Sequence, residues 1–471
     1  MRLSFRIEEI QHIKLLDFSI DIAQPKLTCI VGKNGTGKTT LIKAIQNLCT
    51  ADVFHRTSAT TIFKPESKIT YGVDGNDPIV FTYDSNLRVL NSKSVVPKAL
   101  KKMISVELPA PHGSRFSLFR NLASADGDIR TGIVTGSFEK PKNLVKFLNE
   151  IYGSNKFDDL IEVRVKAISY YCLLLPNSRY IREDYLSSGE YFLLSLYRHI
   201  QSGCRLIVID EIDISLDAIA QSKVVEKLRA FCQEFGANII FTTHSLAMIK
   251  TLKEGELLYM EETELGIATS PQSYNSVKSM LFGFRGWDKY ILTEDECLQG
   301  FLEFLINRLG VSAHYQYKII YVGGGTNVTD LMNRNSVQGF FSSAENVISI
   351  LDGDQRGYQH VRGRVFCIPI ESVEKQLALM YQAAPESLPT VPEEILQRFN
   401  AAAQNEKGKI LWKHYGISKA ISVPELYQYV FESDEVGLRE FTKNVLSSFL
   451  ERPAQLEVAQ PILGGASKHL G

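Results

Sequence analysis

The sequence lacks the marks of a membrane-spanning, disulfide-stapled or fibrous protein. No window approaches the ~20 apolar residues that cross a bilayer, and apolar runs such as Leu206 to Ile209 are strand-sized. The opening Met1-Arg2-Leu3-Ser4-Phe5-Arg6 has no apolar signal-peptide core. Cys29, Cys49, Cys172, Cys204, Cys232, Cys297 and Cys367 are scattered, odd in number and never form C-x-x-C. That argues against a zinc site or a disulfide framework and fits a reducing cytoplasm. Internal repeats, long heptad arrays and low-complexity tails are missing too. Charge of either sign is not in excess: the formal net charge is −1, so any nucleic-acid contact must come from local patches. The expectation is a cytoplasmic chain with no membrane contact of its own.

What is present is the composition of a core-burying protein, 44% hydrophobic and 22% charged. The length leaves room for two or three domains of about 150 residues each. Over residues 1–275, short β-branched runs alternate with helical patterns, the mark of an α/β fold. Residues 55–180 are less regular, with turns such as Asp74-Gly75-Asn76 and a polar stretch near 123–137, and read as an inserted lobe. Its Lys98, Lys101, Lys102, Arg115, Arg120, Lys140, Lys142 and Lys146 could touch phosphates, although a solvated face is the commoner role for any one of them. A polar stretch around 262–287 precedes a second α/β segment over 285–380, with strands at Tyr290–Leu292, Lys318–Val322, Val347–Leu351 and Val365–Ile368. Leu298, Phe301, Leu302, Leu305, Ile306 and Leu309 mark an amphipathic helix between the first two. Residues 381–471 read as mainly helical.

The chemistry begins after the strand Leu27–Val31. Gly32-Lys33-Asn34-Gly35-Thr36-Gly37-Lys38-Thr39 fits G-x-x-x-x-G-K-[ST] and is followed by the helical spacing of Leu41, Ile42, Ile45 and Leu48. Glycines let backbone N–H groups turn around phosphate oxygens, and the helix adds its positive end. Asn34, Gly35, Gly37, Lys38, Thr39 and Thr40 are the expected ATP contacts, with Lys38 on the β and γ phosphates and Thr39 on Mg²⁺. Leu206-Ile207-Val208-Ile209-Asp210-Glu211 reads as the matching apolar strand with two acids, Asp210 for the metal and Glu211 to polarise water.

Three further motifs resemble ABC-type ATPases. Tyr185-Leu186-Ser187-Ser188-Gly189-Glu190 is similar to their signature motif, Ser215-Leu216-Asp217 to the D-loop, and Ile239 to Ser245 to the switch strand carrying His244. The resemblance covers residues 1 to about 260. It implies that His244 meets the γ-phosphate, and that Ser188, Gly189 and Asp217 act on ATP held by a second copy in a head-to-tail dimer. Asn34 and the opening Phe5-Arg6-Ile7-Glu8-Glu9-Ile10 resemble the Rad50, SMC and RecF branch, without its coiled-coil arm.

In the second segment Glu294 follows one strand, Gly323-Gly324-Gly325 a second and Asp352-Gly353-Asp354 a third, with Glu374 in Ser372-Val373-Glu374. Carboxylates at strand ends suit one or two Mg²⁺ ions in phosphodiester chemistry, although Asp-x-Asp is often only a turn. The order resembles a TOPRIM domain, and an ABC-type ATPase followed by TOPRIM resembles the OLD family of antiphage nucleases over residues 1–380. That resemblance implies Glu294, Asp352, Asp354 and Glu374 as catalytic ligands of Mg²⁺ or Mn²⁺, DNA as substrate, and a partner defence protein or a reverse transcriptase with its nucleic acid in some members. Asp295 stands where TOPRIM domains have Gly, which leaves an inactive, sensing TOPRIM open. A RecF-like repair ATPase is the other alternative.

Overall fold

The computed structural model describes residues 1–451 except 51, 110–114, 167, 178, 284–285 and 359–360. The side chains of Arg115 and Arg120, and the end of the expected helical region at 452–471, lie outside the described residues. The chain divides into two compact units, one over Met1–Val277 and one beginning at Lys278.

The first unit is an α/β structure around a mixed sheet of 11 strands. Its strands are β1 (Arg2–Ile10), β2 (Ile13–Asp21), β3 (Leu27–Gly32), β4 (Phe63–Val73), β5 (Ile79–Asp84), β6 (Val89–Asn91) and β7 (Ile104–Glu107). After β8 (Leu160–Val165), β9 (Ile168–Leu175) and β10 (Arg179–Arg182), which form their own sheet, come β11 (Leu206–Ile209), β12 (Asn238–Thr242), β13 (Leu257–Thr263) and β14 (Gly266–Pro271). The large sheet runs β6-β5-β4-β1-β2-β14-β13-β3-β12-β11-β7. Its end β13-β3-β12-β11-β7 is parallel. The central strands β3, β11 and β12 are mostly apolar and wholly buried, as parallel strands covered on both faces require.

Residues 55–180 are therefore not one inserted lobe. Strands β4 to β7 belong to the large sheet, because alternate residues of β4 and β5 join its core: Ile69, Tyr71 and Phe81 are buried, and Tyr71 meets both Phe5 and Phe81 edge-on. Turn residues between these strands obscured their alternation in the sequence. The polar stretch near 123–137 is largely helix, within Arg115–Val134. Leu122, Ala125 and Ile129, spaced three and four apart, bury one face against Ile161, Val163 and Tyr170 of the small sheet. The stretch around 262–287 likewise holds β14 and the helix Tyr274–Phe282 rather than a simple linker.

The second unit carries a parallel sheet of β15 (Lys289–Thr293), β16 (Tyr317–Tyr321), β17 (Val347–Leu351) and β18 (Val365–Cys367), in the order β16-β15-β17-β18. The helix Glu296–Arg308 buries Leu298, Phe301, Leu302, Leu305 and Ile306. The later helices share that core through Leu411, Tyr415, Leu426, Val430 and Phe431. Among the described residues no helix is long and apolar enough to cross a membrane.

Candidate functional site

The phosphate loop is shaped by its glycines. Gly35 and Gly37 have φ of +82° and +89°, a left-handed backbone that side chains resist. A Cβ on Gly37 would also meet Ile13 at 2.6 Å. Gly37 leads directly into the helix Lys38–Asn47. Lys38 is buried and donates to the carbonyls of Gly32 at 2.8 Å and Lys33 at 3.0 Å. Asn34 and Gly35 are exposed, Thr39 is half-buried, and buried Thr40 donates to Gln11 at 3.2 Å.

At the end of β11, Asp210 is 3% exposed and its Oδ2 has no hydrogen-bond partner. Its Oδ1 accepts from Thr242 Oγ1 at 2.6 Å, and the same hydroxyl accepts from Glu211 N at 2.8 Å. Thr242 thus fixes both acids. Sequence reasoning quoted it in a motif without giving it a role; its place at the end of the strand beside β11 is the signal. Glu211 holds φ of +52°, strained for a residue with a Cβ. Burial raises its pKa, Asp210 and Asp213 add to this, and Lys38 opposes it. Burial lowers the pKa of His244, and Lys38 lowers it further. Lys38, Asp210, Glu211 and His244 therefore share one electrostatic neighbourhood. The orphaned buried carboxylate oxygen of Asp210 suits Mg²⁺ carried by a nucleotide.

The signature turn makes other contacts. Ser187, rather than Ser188, caps the helix Ser188–Gln201, in a capping box with Glu190. Ser188 is exposed, whereas Gly189 is buried. A Cβ on Gly189 would come within 2.4 Å of the Ser215 carbonyl, so the signature turn and the loop after Glu211 are packed as one piece. Asp217 is exposed and caps the next helix, accepting from Ile219 N at 3.0 Å and Ala220 N at 2.9 Å. Tyr185, Ile214 and Ile219, 72%, 67% and 69% exposed, flank these two motifs.

In the second unit the chain moves from β15 outward to β16 and then back across to β17. The switch point between β15 and β17 is where parallel α/β sheets hold ligands, beyond the strands' C-terminal ends. Glu294 and Asp352 stand there, with Glu294 Oε1 accepting from Asp352 N at 3.0 Å. Gly325, at the start of the helix Gly325–Gln338, also donates its N–H to Glu294. Gly353 has no room for a side chain, since a Cβ would meet the Ile370 carbonyl at 2.0 Å. Burial, then Asp295, Glu294, Glu374 and Asp354, push the Asp352 pKa up to about 9. Burial also raises Glu294 and Glu374, the latter with Asp295 as its main charged neighbour. The four expected acids thus act on one another, and Asp295, which caps the helix Glu296–Arg308, joins them.

Asp352 Oδ1 is buried without a hydrogen-bond partner, and an all-carboxylate donor set fits a hard divalent cation. As placed, however, no three or more His, Cys, Asp or Glu among the described residues are grouped to hold a metal ion. Asp354 explains part of this: its Oδ2 is taken by Lys375 Nζ at 2.6 Å.

A family described as an AAA domain matches residues 4–192. The phosphonates import ATP-binding protein PhnC of Lactococcus lactis (strain IL1403) is 23% identical over 254 residues, covering 52% of this chain and 85% of PhnC. The oligopeptide transport ATP-binding protein OppF of Haemophilus influenzae is 28% identical over 120 residues, covering 25% of this chain and 36% of OppF. Among solved structures, the SMC head domain from Thermotoga maritima aligns with 57% of this chain and 99% of its own, at 15% identity and a TM-score of 0.34.

Proposed function

We propose that this chain, an ABC-type P-loop ATPase in its first unit, couples ATP-driven pairing of two copies to metal-dependent DNA cleavage by a TOPRIM-like second unit, in an OLD-type antiviral role. The observation that carries the cleavage reading is the Glu294–Asp352 contact at the switch point, with Asp354 and Glu374 acting on the same buried carboxylate. Exposed Tyr185, Ile214 and Ile219 around the signature and the D-loop support a second copy as the partner of that surface.

In the ATPase, Lys38 binds phosphate oxygens, Thr39 and Asp210 hold the nucleotide's Mg²⁺, and Glu211 orients water with His244 beside it. Ser188, Gly189 and Asp217 serve the ATP of the other copy. In the second unit, Glu294, Asp352, Asp354 and Glu374 would hold Mg²⁺ or Mn²⁺. A bound cation there activates water and steadies the leaving oxygen of a phosphodiester.

The test is plasmid DNA with Mg²⁺ or Mn²⁺, with and without ATP, on the wild type and on Asp352→Ala/Asp354→Ala. Metal-dependent cutting that the double variant loses supports the nuclease. Intact DNA under every condition, with ATPase activity kept, overturns it in favour of a second reading: an ATPase sensor with an inactive second unit that controls a separate effector, such as a partner defence protein or reverse transcriptase. The Lys375–Asp354 pair favours that second reading. A Glu211→Gln variant is expected to accumulate as an ATP-bound dimer; light scattering that finds only monomer under ATP removes the pairing step.

A further inference from the structure

One polar cluster in the first unit is used by none of the motifs above. Strand β7 lies at the edge of the large sheet and, among the described residues, pairs only with β11. Glu107 stands opposite Ile209, and its carbonyl accepts from the N–H of Asp210 at 3.0 Å. Residues two apart on a strand share a face, so Ser105 and Glu107 project together while Ile104 and Val106 face the core on the other side. Onto that polar face comes His199, in the last turn of the signature helix. Its Nδ1 is 2.7 Å from Ser105 Oγ and its Nε2 is 2.9 Å from Glu107 Oε2.

The roles follow from the partners. An ionised carboxylate only accepts, so Nε2 carries the proton and donates to Glu107, and in the neutral ring Nδ1 accepts from the Ser105 hydroxyl. Both nitrogens are thereby committed. His199 and Glu107 are 22% and 15% exposed, so the bonds are partly shielded from competing water. The neighbouring Arg198 is engaged elsewhere, with Glu183 and the Ser169 carbonyl.

From the geometry we infer that His199 is a positioning residue for ATP hydrolysis. It latches the signature helix to the strand whose carbonyl holds the backbone of Asp210. The helix reaches the acid-bearing segment directly near its start and through β7 near its end. Near its start Gly189 packs on Ser215, just beyond Glu211. Ten residues on, about 15 Å along the axis, His199 grips Glu107, which is bonded to Asp210. A helix held at two points moves as a rod. Any shift of the signature turn is then delivered to Asp210, on the metal, and to Glu211, which orients the water, while Lys38 and the phosphate loop are untouched by it.

The experiment uses the full chain and separates kcat from nucleotide affinity. His199→Phe keeps a ring of similar size and loses both bonds. It is expected to lower kcat about tenfold while leaving the Kd for a fluorescent ATP analogue within about twofold. Glu107→Gln should lower kcat similarly, and the double variant should be no worse than His199→Phe alone, because the two residues act as a unit. His199→Gln, which keeps a donor for Glu107, should recover part of the rate. Unchanged kcat in His199→Phe overturns the inference. So does a double variant whose loss is the product of the single losses. If kcat, nucleotide affinity and melting temperature fall together, His199 is a structural staple only. Should His199→Phe not fold, Ser105→Ala removes one half of the latch and must still lower kcat without changing Kd.

Discussion

At the residue scale, both sites depend on carboxylates held where charge is costly. Asp352 is the extreme case. Its pKa of about 9 in the fold lies far above the value of about 4 expected in the unfolded chain. A group raised in this way stabilises the fold fully below its unfolded pKa and loses that contribution as pH rises through its folded pKa. The melting temperature of the second unit is therefore expected to fall between pH 5 and pH 9. Asp352→Asn should flatten that slope and melt a few degrees higher than the wild type at pH 8, as measured by differential scanning calorimetry. Thr242→Val keeps the side-chain shape but removes the hydroxyl shared by Asp210 and Glu211; ATP turnover should drop about tenfold with little change in ATP affinity. Lys375→Met frees Asp354 from its internal cation. Because that pair is about 30% exposed on each side (27% and 32%), solvent already weakens it. The gain in Mn²⁺ affinity by titration calorimetry should then be several-fold rather than several hundred-fold.

At the scale of elements, the parts that were legible are those with strong local rules. The strand-turn-helix of the phosphate loop, the apolar run ending at Asp210, and the four short strands of the second unit each announce themselves by periodicity and glycine. Strands β4 to β7 did not, because their partners are distant in sequence: β4 pairs with β1, some sixty residues earlier, and β7 with β11, about a hundred residues later. The same distance hid the His199–Glu107 pair and the role of Thr242. A motif also fixes which residues are present but not which of two adjacent serines caps the helix, here Ser187. The close packing of Gly189 on Ser215 makes a prediction here. Gly189→Val should prevent ATP-driven pairing by forcing the two motifs apart, while Lys38 still binds nucleotide. Light scattering under ATP, alongside a nucleotide-binding titration, separates the two effects.

At the scale of the whole molecule, two units with separate hydrophobic cores should answer to separate ligands. Calorimetry is expected to resolve two unfolding transitions, one raised by ATP and Mg²⁺ and the other by Mn²⁺. Lys38→Ala should abolish the first shift alone, and Asp352→Asn the second alone. The exposed Tyr185, Ile214 and Ile219 carry a further consequence. If the signature serines and the D-loop serve the ATP of a second copy, as proposed, each chain owns only half of each working centre, and encounter with a sibling becomes part of the rate law. Activity per molecule should climb with protein concentration before levelling off. In a cell, expression level then becomes an input in its own right: at low dosage the engine idles for want of a mate, and a modest rise in synthesis arms it more than proportionally.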